Sequence, residues 1–88
     1  MKAYVLGKIS DNNELKVRDT LEQQDFVEKA ELIYGTYDII LTVNANGTEE
    51  LKSTILKNLT ENFGLGPEIQ TYLVMENLSE DQQTLTQE

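Results

Sequence analysis

Neither cysteine nor histidine occurs in the 88 residues. Disulfides, thiolate nucleophiles, imidazole bases and the usual zinc ligand sets are therefore excluded within one chain, and no metal is expected. Basic residues are scarce: seven Lys and Arg against sixteen Asp and Glu leave a net charge of −9. Binding to a phosphate backbone needs a basic stripe that releases counterions, so nucleic acid is not expected as a direct partner. No apolar run approaches the ~20 residues of a membrane-spanning helix. Met1-Lys2-Ala3-Tyr4-Val5 lacks the apolar segment of a secretion signal, so a cytoplasmic protein without a membrane partner is the expectation. What remains, 39% apolar and 26% charged, is ordinary globular material, enough for one small domain whose modest core is usually helped by oligomerisation.

Residues 1–77 read as that domain and 78–88 as a polar tail. Lys2 to Ser10 carries the β-favouring Tyr4, Val5, Leu6 and Ile9 and reads as a strand. Asp11 with Glu14 forms a capping box that predicts a helix from near Asn12 to near Gln24, with Val17 and Leu21 on its apolar stripe and Leu15 to one side. Phe26 to Tyr34 and Tyr37 to Asn44 read as strands around Gly35, a hairpin glycine supplying positive φ. Asn46 and Glu49 repeat the capping signature ahead of a helix whose buried line is Leu51, Ile55 and Leu59, flanked by Leu56 and Phe63 and closed by Gly64. Glu68 to Asn77 reads as the last strand, centred on Tyr72-Leu73-Val74-Met75.

The order β-α-β-β-α-β has an economical α+β solution. It is the ferredoxin-like split βαβ, a four-stranded antiparallel sheet with two helices on one face and strands one and three in the middle. The uncovered face of such a sheet should turn polar if it meets water. Here it does not: Tyr4, Leu6, Ile40, Tyr72 and Val74 occupy the parity opposite to Val5, Ile39, Leu41, Leu73 and Met75. Scattered surface apolar residues are normal, but these lie in the central strands and the last one. The expected cover is a second copy, giving a dimeric α/β sandwich with Tyr4, Leu6, Ile40, Tyr72 and Val74 at the interface.

Among local features, Tyr34-Gly35-Thr36-Tyr37-Asp38 is the most informative. Asp38 opens an otherwise apolar strand, where a carboxylate must be solvated or paired. It either accepts hydrogen bonds from the N–H groups of its own turn or holds the ammonium of a small ligand at a subunit junction. Gly64-Leu65-Gly66-Pro67 lacks the length, the Lys and the following helix of a phosphate loop. Thr71 reads by default as an ordinary strand threonine. Arg18 is the only arginine, and three matches to the glycosylation pattern (Asn46, Asn58, Asn77) carry no weight without a secretion signal. Sixteen carboxylates offer no discriminating acid–base pair, and no catalytic constellation or cofactor motif is present.

The run Lys2-Ala3-Tyr4-Val5-Leu6, the hairpin Tyr34 to Val43, the Glu49-Glu50-Leu51 helix start and Thr71-Tyr72-Leu73-Val74-Met75 resemble the effector, or RAM, domain of the Lrp/AsnC family. The similarity covers Lys2 to Glu76, and its most specific element is the Gly-x-Tyr-Asp hairpin at Gly35, Tyr37 and Asp38. The chain begins at strand one, so it is similar to a stand-alone effector domain without the family's helix-turn-helix. The resemblance implies a βαββαβ fold, dimers paired through their sheets, and rings of dimers, often octamers. It further implies an amino acid bound between subunits at Gly35, Thr36, Tyr37, Asp38 and Thr71, without enzymatic activity or cofactor. Full-length Lrp/AsnC regulators are then possible co-assembly partners. Two segments depart from the family: Asp25-Phe26-Val27 stands where Pro-Gly-Val is common, and the exit Asn62 to Pro67 is one residue longer, at the family's ligand cleft. Two other classes stay open, a purely structural assembly protein with a degenerate pocket and a small dimeric enzyme using a carboxylate base.

Overall fold

A computed structural model describes residues 1–10, 13–65 and 68–75. Four strands, β1 (Lys2–Gly7), β2 (Val27–Leu32), β3 (Ile39–Asn44) and β4 (Gln70–Leu73), form one antiparallel sheet in the order β2-β3-β1-β4. The helices are α1 (Glu14–Glu22) and α2, a continuous helix made of Thr48–Glu50, Leu51–Leu56 and Lys57–Phe63. This is the expected split βαβ, with β1 and β3 in the middle. The chain is thus α+β with a ferredoxin-like fold.

Burial follows the pleat. Ala3, Val5, Ile39, Leu41 and Val43 are fully buried and share one parity. They pack with Leu21 of α1 and with Leu51, Ile55 and Leu59 of α2, the lines predicted for both helices, while Leu15 is exposed. Leu65 is also fully buried and seals the end of the core through a single bridge to Ile9. Gly7 makes that seal possible: a Cβ there would stand 3.3 Å from the Leu65 side chain, tighter than ordinary packing.

Several boundaries differ from the sequence expectation. Strand β1 ends at Gly7, and Ile9 keeps only the bridge to Leu65. Helix α1 starts at Glu14 with Asn13 in the cap position and no side-chain cap bond; the expected cap Asp11 and start Asn12 lie outside the described residues. In β2 the register passes from Val27 opposite Val43 to Lys29 opposite Thr42, so Glu28 is a bulge. The bulge rephases the strand, which is why Val27 and Ala30 are both buried although three residues apart.

The start of α2 uses different partners from those expected. Gly47, in extended backbone, takes the cap position. The carboxylate of Glu50, rather than Glu49, accepts from the backbone N–H and Nδ2 of Asn46, at 2.9 and 3.1 Å. The middle stretch, Leu51–Leu56, is wound as π-helix, and Leu51 and Ile55 within it stay buried. Gly64 closes α2 at φ +66°, the expected left-handed exit. Strand β4 covers Gln70–Leu73 of the predicted span; Glu76, Asn77 and the predicted tail lie outside the described residues.

Candidate functional site

The β2–β3 connection runs from Ile33 to Asp38 and is closed by the Ile33 N–H donating to the Asp38 carbonyl at 2.9 Å. Gly35 sits at φ +145°, a backbone conformation that a side chain strains. Tyr34, Gly35 and Thr36 are exposed, and Tyr37 and Asp38 are half-buried as the chain re-enters the sheet.

Asp38 acts as a clamp on the end of β1. Its N–H donates to the Gly7 carbonyl at 2.9 Å, and its Oδ2 accepts from the Ile9 N–H at 2.8 Å. The side chain therefore serves a backbone donor 29 residues away, not the N–H groups of its own turn. A carboxylate offers about four acceptor positions, so this bond leaves capacity for a second donor. Sequence reasoning missed Ile9 as the partner, and no local signal could have found it, because the donor is a backbone group.

Thr71 lies on β4 opposite Val5, half-buried on the helix side of the sheet. It shares an end of the sheet with the hairpin, but β1 stands between them. Clefts of about 500, 420 and 380 Å³ on the described surface are lined by other residues than Gly35, Thr36, Tyr37, Asp38 and Thr71.

The five residues expected at an interface fall together. On the open face Leu6 lies between Ile40 and Gln70, and Tyr4 between Thr42 and Tyr72. Val74 continues the same face, its N–H donating to the Lys2 carbonyl at 2.9 Å. Tyr4 is 39% and Tyr72 58% exposed. At the β2 edge, Lys29 and Glu31 oppose Thr42 and Ile40 and form an ion pair at 3.4 Å. The face thus carries Tyr4, Leu6, Ile40, Tyr72 and Val74 with Thr42 and Gln70 among them, and a charged margin along β2.

No family model and no curated protein matches the chain. Solved structures do. TTHA0845 from Thermus thermophilus is similar over 89% of this chain and 96% of its own, with a TM-score of 0.73 and 19% identity. FFRP-DM1 covers 84% and 97%, with a TM-score of 0.62 and 23% identity. LrpC from B. subtilis is similar over 90% of this chain but 53% of its own length, with a TM-score of 0.63 and 15% identity. Neighbours of this fold thus include Lrp/AsnC regulators, of which the chain spans about half the length. At these identities the likeness is one of fold.

Proposed function

We propose that the chain is an effector-sensing domain of the Lrp/AsnC type. It pairs through its open sheet face and binds an amino acid or similar small effector between subunits beside the Gly35–Asp38 hairpin. It is not an enzyme, and in the cytoplasm it modulates regulators that carry the same interface. The observation that carries this reading is the joining of Tyr4, Leu6, Ile40, Tyr72 and Val74 into one apolar face on a fold shared with such regulators. The mechanism is linkage: a ligand lodged between subunits favours the assembly that builds its pocket.

The test is a thermal-shift screen against the twenty amino acids, each sample sized by light scattering. A ligand at about a hundred times its Kd stabilises by roughly 2.7 kcal/mol, several degrees for a domain of this size. One or a few amino acids should raise the Tm and change the mass; a flat response across all twenty contradicts effector binding. The bond from Ile9 to Asp38 favours a second reading, in which the hairpin is purely structural and the chain only assembles. Titration calorimetry on Asp38→Asn separates the two. Loss of a charge-assisted bond to a ligand ammonium, worth roughly 1.5–3 kcal/mol, weakens binding about tenfold or more, whereas equal affinities remove Asp38 from the site.

A further inference from the structure

Asparagine is one of the chemically labile residues, and of the seven in this chain only Asn46 is followed by glycine. Asn46 lies exposed between the end of β3 and the start of α2. Gly47 has extended backbone, φ 170° and ψ 175°, and no atom within 4 Å of a built Cβ. Its carbonyl accepts from the Leu51 N–H at 3.1 Å. Its own N–H precedes the helical ladder, as the first donors of any helix do, and among the described residues it has no acceptor. An exposed side-chain amide therefore stands beside a backbone nitrogen that is free of both a hydrogen bond and a neighbouring Cβ. Asn58 and Asn62 differ on both counts: they lie inside α2 and are followed by Leu59 and Phe63.

We infer that Asn46-Gly47 is a site of non-enzymatic deamidation. The Gly47 nitrogen, its proton taken by hydroxide, attacks Cγ of Asn46. The new N–Cγ bond closes a succinimide ring, the Cγ–Nδ2 bond breaks, and the amide nitrogen leaves as ammonia after taking a proton from water. Water then opens the ring at either carbonyl. Opening at Cγ gives aspartate at position 46, and opening at the main-chain carbonyl gives isoaspartate, whose backbone runs through Cβ. Water is the only co-reactant, and nothing is oxidised or reduced.

The structure gives this reaction a consequence. In the unmodified chain Nδ2 and the backbone N–H of Asn46 both donate to the Glu50 carboxylate, at 3.1 and 2.9 Å. An ionised carboxylate donates nothing, so at position 46 it loses the first bond and faces Glu50 with like charge. Isoaspartate also lengthens the turn by a methylene group. A pair that ties the start of α2 becomes a pair that repels. The inference rests neither on effector binding nor on sheet pairing.

The test is to age the purified full chain at physiological temperature, at mildly acidic and mildly alkaline pH, and to map the products by peptide mass spectrometry. Isoaspartate is counted by isoaspartyl methyltransferase labelling. Product should accumulate at position 46, faster at alkaline pH because the attacking nitrogen must lose its proton, while Asn44, Asn58 and Asn62 keep their amides. Gly47→Ala should lose most of the product; extended backbone and open space at Gly47 allow that variant to fold. Ageing should also speed amide hydrogen exchange in Thr48–Glu50, and should do so less in Glu50→Gln, where the like charge is gone. An amide that survives at position 46, or reacts no faster than the other asparagines, overturns the inference. Conversion that leaves exchange in Thr48–Glu50 unchanged overturns its consequence for α2.

Discussion

The two faces of the sheet are built from similar residues and meet different fates. On the helix side, Ala3, Val5, Ile39, Leu41 and Val43 lose all contact with solvent. On the open side, Leu6, Ile40 and Val74 keep part of their surface, and Tyr4 and Tyr72 keep 39% and 58%. A domain of this size has little apolar material to spare, so side chains of this kind on an uncovered central strand point to a function outside the single chain. Burial fixes the fold through one face; the other is the face proposed above for assembly.

The sharpest break between the faces comes from one charge placed on each. Leu41→Lys puts an unpaired ammonium in the closed core, which costs several kcal/mol, comparable to the total stability of a small domain. It should abolish the cooperative unfolding transition seen by circular dichroism. Leu6→Lys places the same charge on the open face, where it should leave a folded monomer by light scattering. Ile40→Lys should behave in the same way. If both open-face variants keep the native mass and melting point, the two faces do not differ as described.

Smaller effects are expected at the hairpin that joins β2 and β3, and at the β2 edge of the open face. Asp38→Ala removes the acceptor for the Ile9 N–H and should lower stability by about 1–2 kcal/mol in urea unfolding, the value of a partly exposed bond to a charged group. Asp38→Asn, which keeps an acceptor, should lose less. Gly35→Ala forces a Cβ into φ +145° and should cost on the order of 1 kcal/mol by the same measurement. The smallest effect belongs to Lys29→Ala: the ion pair with Glu31 is more than half exposed, and such pairs contribute about 0.2–1 kcal/mol or less.

Much of the architecture was legible because it rests on periodicity. Leu51, Ile55 and Leu59 announce the buried line of α2, and the strands carry apolar residues on both parities, which announces the open face. Gly35 and Gly64 were legible for a different reason: each sits where the backbone takes a positive φ. What escaped depends on neighbours in space or on an irregular backbone. The Glu28 bulge is set by pairing with β3, and the π-wound Leu51–Leu56 leaves the buried positions unchanged. The cap at α2 lies one residue later than expected, at Gly47, and Glu50 is the acid that reaches Asn46, a pairing set by the geometry of the turn rather than by the spacing of residue types. At the candidate site, the Gly-x-Tyr-Asp pattern located the hairpin, but the partner of Asp38 is a backbone N–H beyond the end of another strand, and no residue type marks it.

The mass of the wild-type chain in solution tests the central claim most directly. Light scattering on a sized sample at micromolar concentration should give at least twice the 10.0 kDa of one chain if, as proposed, a second copy covers the open face of Tyr4, Leu6, Ile40, Tyr72 and Val74. A stable species of 10.0 kDa that holds this mass as concentration rises would contradict the account.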